Sequence, residues 1–488
     1  MKLLLALALL GASTSTTAVA QATSAIDWHQ CALSADDAEG KALDQAGAQC
    51  GDLKVPLDYT RPNGPKITLA MSRIKATGAR IGALVINNGG PGSPSLTAAL
   101  DRPDVMGTVG TRYDLIGLDP RAIGRSTPID CKLPFAGWPW AGGTTQTSFR
   151  QSAEIQADVA NRCAREAGAM LPYITTRNTA RDLDRVRIAL GEQKISYLGY
   201  SYGTYLGAVY LQMFPGRTDR VVLDGPVDPD RFGPRLLQQV GPQNEDNLRA
   251  WAGWAAARNS TYRLGSTTRE VLASIDRIYR HVRTTELEIG GHKIGEGLLP
   301  MLFFVAMNDD RDPARADAAV LVQTLVKAVD GPVLDPRADL AELLDVIMSP
   351  AMSQTISAQT AIVCGDRAAP RDPQVYWRDI QAHRSREPHY GSITRSISPC
   401  AFWPVQPQEA PTKVANSEHA LIVAAEHDPR TAYENAAVLK KSISDSRVLT
   451  VKNARKHGVF GEYGNACADQ KVISYLFSGK LPTQDVAC

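Results

Sequence analysis

No C-x-x-C pair occurs anywhere in the chain, and neither sign of charge dominates it. The first absence removes the zinc-site and thioredoxin-like readings that closely paired cysteines would open. The second removes a basic field for nucleic acid and an acidic solvating tail, since 53 Lys+Arg stand against 51 Asp+Glu. After the N-terminal leader no run is long and uncharged enough to span a membrane. No internal period is visible, so a solenoid or repeat array is not expected.

What is present begins at residue 1. Met1-Lys2-Leu3 through Leu10 is one positive charge followed by a short Leu/Ala run, and small residues then lead to Ala18-Val19-Ala20 before Gln21. That is the form of a secretory signal peptide with an A-x-A cleavage site. Residues 1–20 are therefore expected to be removed, leaving an exported protein, extracellular or periplasmic. No cysteine follows closely enough to suggest a lipid anchor. In an oxidising compartment the eight cysteines, Cys31, Cys50, Cys131, Cys163, Cys364, Cys400, Cys467 and Cys488, read first as disulfides. Their number alone leaves the pairing open. A chain of 488 residues that is 44% hydrophobic can bury a large core.

The middle of the chain alternates strand and helix patterns. Leu53–Tyr59 and the alternating Ile67–Ile74 read as early strands, the second an edge or near-edge one. Ala83-Leu84-Val85-Ile86-Asn87 is a continuous apolar run, as a central parallel strand should be, and it ends in Asn88-Gly89-Gly90-Pro91-Gly92. Tyr113–Leu118 is a further strand. Helical patterns follow near 150–168 and 178–190, and Arg220–Gly225 is again a buried strand. From about Arg231 to Cys400 the alternation stops and the pattern is mostly helical, with Val271, Leu272, Ile275, Ile278 and Val282 on one face. It resumes at Ala420–Ala425 and Arg447–Val451. The rhythm predicts a mostly parallel sheet with helices on both faces. Residues 21–230 and 401–488 form its two parts, and residues 231–400 are a large helical insertion.

One stretch carries the chemistry. Ile195–Leu198 is a short β-branched and aromatic run, Gly199-Tyr200-Ser201-Tyr202-Gly203 is a tight turn, and Tyr205, Leu206, Val209, Tyr210 and Met213 follow at helical spacing. Strand, sharp turn and helix are what a nucleophile elbow needs. Glycines two before and two after Ser201 let strand and helix approach closely enough to project its hydroxyl. A serine hydroxyl needs an imidazole to take its proton and a carboxylate to orient that imidazole. Of eight histidines, only His457 lies in a loop just after the last strand pattern. Asp428, after the strand ending at Ala425, is the favoured acid, and Asp224 is its rival. The oxyanion donors should be backbone N–H groups of Tyr202 and of Gly90, because Pro91 has none to give.

These motifs, taken in order, resemble those of the α/β-hydrolases: Gly89-Gly90-Pro91-Gly92, Asp119-Pro120-Arg121 with Gly124 and Ser126, Gly199–Thr204, Asp428-Pro429 with Thr431, and His457-Gly458. More narrowly they resemble the secreted bacterial tripeptidyl aminopeptidases, relatives of proline iminopeptidases. The likeness spans nearly the whole mature chain, with Cys364-Gly365-Asp366, Pro399–Pro404 and the Cys467–Cys488 ending following that group's pattern. It implies an α/β-hydrolase core with a helical lid, and Ser201 as nucleophile, Asp428 as acid and His457 as base. Three departures stand out. Ala122 replaces the usual glycine after the arginine, Asn88 replaces histidine before the glycines, and Glu426-His427 precedes the acid.

The expected function is an exported serine hydrolase that cleaves short peptides from free N-termini through an acyl-enzyme, with no metal or organic cofactor. Peptides or small esters are the expected partners, with no nucleic acid, and nothing in the chain sets an oligomeric state. A carboxylesterase or lactonase using the same triad is the rival, and a catalytically inactive binding protein on this fold is a third reading. Counting from a free N-terminus requires a carboxylate for its ammonium, and the lid should supply it. Glu245 and Asp246 are the first candidates, then Asp228 and Asp230. Sequential disulfides are expected: Cys31 with Cys50, Cys131 with Cys163, Cys364 with Cys400, and Cys467 with Cys488.

Overall fold

A computed structural model describes residues 25–100, 103–137 and 139–488. The expected signal peptide, residues 1–20, lies outside the described residues. In chain order the strands are β1 (Asp27–His29), β2 (Gln49–Pro56), β3 (Lys66–Ile74), β4 (Gly82–Asn87), β5 (Tyr113–Leu118), β6 (Ile195–Tyr200), β7 (Thr218–Asp224), β8 (Leu287–Ile289), β9 (His292–Ile294), β10 (Asn416–Ala425), β11 (Ile443–Val451) and β12 (Val486–Ala487). Ten of them form one sheet in the order β1-β2-β3-β5-β4-β6-β7-β10-β11-β12, and β8 pairs with β9 apart from it. The pairs from β1 to β5 are antiparallel. From β5 through β4, β6, β7, β10 and β11 to β12 every pair is parallel.

The central strands are buried on both faces, and their side chains alternate accordingly. Val85, Tyr197, Val221, Leu223 and Ile422 join the cluster on one face. Leu84, Ile86, Leu198, Val222, Leu421 and Val423 join the cluster on the other. The first cluster runs without a break into the lid, through Leu248, Trp251, Val271, Ile275 and Phe303. The lid is thus packed onto the sheet side that carries the helix after β6, not hung beside it.

The lid occupies the chain between β7 and β10. Its longer helices are Gly241–Ala256, Thr268–His281, Asp312–Asp330 and Ser353–Asp366. Thr268–His281 shows why it forms. Thr267 caps it by accepting from the Glu270 N–H, and Val271, Ile275 and Ile278 make its buried stripe. The helices read near 150–168 and 178–190 are Gln146–Ala167 and Thr176–Ala189. Before Leu53 the chain holds β1, the start of β2 and a helix Ala38–Gln45 capped by Asp37.

Disulfides join Cys31–Cys50, Cys131–Cys163, Cys364–Cys400 and Cys467–Cys488, the sequential pairing expected. Among the described residues no helix is long and apolar enough to cross a membrane. Strand β4 lies between β5 and β6, so the chain leaves it towards one side and later returns on the other. That is a topological switch point, where an open α/β sheet leaves a crevice beyond its carboxyl ends.

Candidate active site

Two loops meet in that crevice, the glycine loop after β4 and the turn after β6. Ser201 sits on the turn with φ 53° and ψ −119°, a conformation that costs a non-glycine residue energy and persists only when its surroundings enforce it. The surroundings are visible. The Ser201 N–H donates to the Asp224 carbonyl at 2.8 Å, and the Ser201 carbonyl accepts from the Thr204 N–H and hydroxyl. A Cβ on Gly199 would lie 2.5 Å from the Gly203 carbonyl oxygen, and one on Gly203 would lie 2.8 Å from Asn87 Oδ1. Both glycines are therefore required for strand and helix to close around the serine.

The glycine loop abuts this turn. Gly89, at φ +85°, has no room for a side chain, since a Cβ there would lie 2.3 Å from the Tyr200 carbonyl oxygen. Its N–H donates to Asn87 Oδ1 at 3.1 Å. Behind the loop, buried Asp119 accepts from the N–H groups of Ser95, Leu96 and Arg125. A Cβ on Gly124 would strike its carboxylate, and Ser126 donates to its carbonyl. Arg121 instead pairs with buried Asp182. The Asp119–Ser126 motif is thus a brace for the glycine loop. Ala122 in that motif adopts φ 68°, the left-handed conformation that a glycine takes without strain.

The opposite wall comes from the C-terminal half. Asp428 follows β10, is 2% exposed, and holds His457 Nδ1 at 2.9 and 3.0 Å. It also accepts from the Arg430 N–H, the Thr431 N–H and the Thr431 hydroxyl, so its lone pairs are filled. With Nδ1 donating to a carboxylate, Nε2 is left as the acceptor. His457 and Ser201 line the same cavity of about 310 Å³, together with Asn88, Gly90, Pro91, Pro139, Leu236, Leu237, Phe304, Asn308, Gln359 and Arg430. Gly90 therefore stands at the cavity wall. Tyr202 opens the helix after β6, where the backbone N–H groups of the first turn have no intrahelical partner. Its phenol turns inward to Thr176, whose hydroxyl also meets Asp366.

Asp224 is not beside His457 Nδ1. It is fully buried and accepts from the N–H groups of Val459 and Phe460, at 2.6 Å for the shortest contact. Burial pushes its carboxyl up to about 7. It holds the loop that carries His457, and the Tyr200 hydroxyl adds a second tie by donating to the Phe460 carbonyl.

The expected ammonium partners are already engaged by other groups. Glu245 accepts from the His389 and Tyr390 N–H groups and faces His389 Nδ1. Asp246 accepts from Arg455 at 2.6 Å. Neither lines the Ser201 cavity. Both carboxylates are engaged in fastening the lid, Glu245 within it and Asp246 to the His457 loop. Asp228 accepts from the Asp230 N–H, and Asp230 is exposed. Sequence reasoning missed Arg430, Phe304, Asn308 and Gln359 at the cavity wall. Only Arg430, two residues past Asp428, carried a positional signal. Among the described residues no group of three or more His, Cys, Asp or Glu is placed to hold a metal ion.

Comparison with known proteins accords with this architecture. A family model described as TAP-like protein matches residues 388–488. A tripeptidyl aminopeptidase of Streptomyces lividans is 34% identical over 96% of this chain and 87% of its own length. The serine protease Hip1 of Mycobacterium tuberculosis is 31% identical over 91% of this chain and 87% of its own. Carboxylesterase B of Mycobacterium tuberculosis is 30% identical over 90% of this chain and 86% of its own. Likeness of that degree, held across both the sheet and the lid, means that the chain belongs to the tripeptidyl aminopeptidase-like family of α/β-hydrolase serine peptidases.

Proposed function

We propose that the protein is an exported serine aminopeptidase that releases short peptides from free N-termini. The observation that carries the chemistry is His457, held by Asp428, lining one cavity with Ser201 on its enforced turn. His457 Nε2 takes the Ser201 proton as the hydroxyl attacks the scissile carbonyl. The buried carboxylate of Asp428 holds the ring orientation and stabilises the imidazolium that forms. The Gly90 and Tyr202 amides receive the developing oxyanion. His457 then protonates the leaving amine, and a water activated by the same ring releases the acyl group from Ser201. The choice of peptides over other acyl donors is supported by the relatives named tripeptidyl aminopeptidase and serine protease. The leader-like N-terminus and the four disulfides support export.

Esterase activity is the second reading. One relative is named carboxylesterase B, and the lining of the Ser201 cavity includes no carboxylate among the described residues to receive an ammonium. A matched set of a tripeptidyl amide, its N-acetylated form and a short acyl ester separates the two. A free amine that raises kcat/KM by about tenfold or more over the acetylated form supports the aminopeptidase. Equal rates on both, with faster ester turnover, would replace it with the esterase.

A further inference from the structure

Arg430 is unlike three other buried or half-buried arginines, each of which meets a carboxylate. Arg121 faces Asp182, Arg395 faces Glu387, and Arg455 faces Asp246. Arg430 lies in the wall of the Ser201 cavity and, among the described residues, forms no ion pair. Its guanidinium stacks on the Phe304 ring at 3.6 Å from the centroid. Its Nη1 donates to the Asn244 side-chain carbonyl at 3.4 Å and to the Pro429 carbonyl at 3.2 Å, and its Nη2 to the Phe304 carbonyl. All three acceptors are neutral. The nearby Asp428 carboxylate is already filled by His457, Thr431 and two backbone N–H groups.

Arg430 is only partly accessible, and it stands at the wall of the Ser201 cavity. Burial accordingly pulls its guanidinium down to about 10. A cation held this way, with no carboxylate paired to it directly, is costly, and an anion arriving with a ligand would offset that cost. The same cavity has apolar walls at Leu236, Leu237 and Phe304. An aliphatic stem ending in a carboxylate matches both features.

We propose that Arg430 is a specificity-determining residue and that the Ser201 cavity selects substrates carrying a carboxylate on a short aliphatic stem near the scissile bond. The proposal rests on the reading of Ser201 as the nucleophile, but not on whether the bond cleaved is an amide or an ester. A bidentate guanidinium–carboxylate contact is a charge-assisted pair of fixed geometry, stronger than a bond between neutral groups.

The test compares tripeptidyl amides with Glu or Gln at each acyl-side position and at the leaving-group position, beside the monoester of glutaric acid and that of glutaramic acid. Wild-type enzyme should favour the acidic member at one position by about tenfold or more in kcat/KM, mainly through KM. The position that responds shows whether the carboxylate sits on the acyl or the leaving-group side. Arg430→Met should bring the acidic-to-neutral ratio close to one, and Arg430→Lys should retain part of it. Affinity of Ser201→Ala protein for the same Glu and Gln peptides, read by calorimetry, should show the same preference without turnover. A wild-type ratio of one or less at every position, in both rate and affinity, would overturn the proposal even if Arg430→Met did not fold. So would a ratio that survives in folded Arg430→Met, which would leave Arg430 as a prop for Phe304. Cleavage of esters but not peptides would remove the peptidase reading alone, and the two glutaric monoesters would then decide this one.

Discussion

At the scale of single residues, two aspartates near the same histidine loop do opposite work. Asp428 contacts the ring, whereas Asp224 contacts the backbone that carries it. Asp428→Asn should lower kcat by about 10⁴-fold while leaving the fold intact, because an amide supports the wrong imidazole tautomer. Asp224→Asn replaces one of the two buried acceptor oxygens by an NH2 group facing the Val459 N–H, so it should cost about 1–3 kcal/mol of stability in denaturant melts. A catalytic collapse at Asp224 without loss of stability would exchange the two roles. Ser201→Ala should remove turnover by about 10⁴- to 10⁶-fold and abolish labelling by a fluorophosphonate. Ser201, Asp428 and His457 stood out in the sequence because each follows a strand pattern, in the order this architecture demands. The partners that engage Glu245 and Asp246 could not be read from the sequence, for a physical reason. A carboxylate on a helical pattern looks free in sequence, and its partners here, His389 and Arg455, lie far along the chain.

At the scale of elements, the turn after β6 depends on how closely its flanks approach. Gly199→Ala would put a Cβ 2.5 Å from the Gly203 carbonyl oxygen and 2.6 Å from the Tyr197 ring. Overpacking there should cost about 1–3 kcal/mol and lower kcat as well, measured by thermal melts and steady-state rates. A second element-level contact ties the segment before β10 to the helix Thr176–Ala189. Glu409 pairs with Arg181 and Arg177, and the hydrogen bond from Arg181, then that from Arg177, holds its carboxyl at about 2, below the ordinary 4.5. A depressed carboxylate stabilises the fold above its ordinary value and loses that contribution as pH falls through the lowered one. The melting temperature of wild type should therefore fall more steeply than that of Glu409→Gln between about pH 5 and about pH 2.5. Parallel curves would mean that the pair contributes nothing, as many half-exposed pairs do. The elements themselves were largely readable, since continuous apolar runs marked β4, β6, β7, β10 and β11. Short β1 and β12 were not, because three or fewer residues give no period to read.

At the scale of the whole molecule, the site is divided between halves of the chain. Ser201 and the glycine loop come from before the lid, and Asp428 and His457 come from after it. The lid then touches the second half directly, where the Asn308 carbonyl accepts from the His457 N–H and Asp310 accepts from the Arg455 N–H. Its cavity residues are drawn from around positions 236, 304 and 359, which meet only through packing, so no local pattern could announce them. The far edge of the sheet is fastened covalently, since β12 pairs with β11 and is followed at once by Cys488, bonded to Cys467. Replacing both cysteines by serine should lower stability by about 3 kcal/mol on chain-entropy grounds and raise hydrogen exchange at Val486 and Ala487. Turnover at Ser201 should change far less, because β7, β10 and β11 lie between β12 and β6 in the sheet order.

The four bridges have one more property when the chain is considered in time. Each joins a cysteine to the next one along the sequence, and no bridge encloses or crosses another. A chain delivered N-terminus first into an oxidising compartment presents every cysteine pair complete before any later cysteine emerges. The direction of delivery then sorts the partners, a task that falls to an isomerase in proteins whose bridges interleave. Such a chain reaches its covalent pattern by arrival order, and its two halves are free to find each other afterwards with every thiol already spoken for.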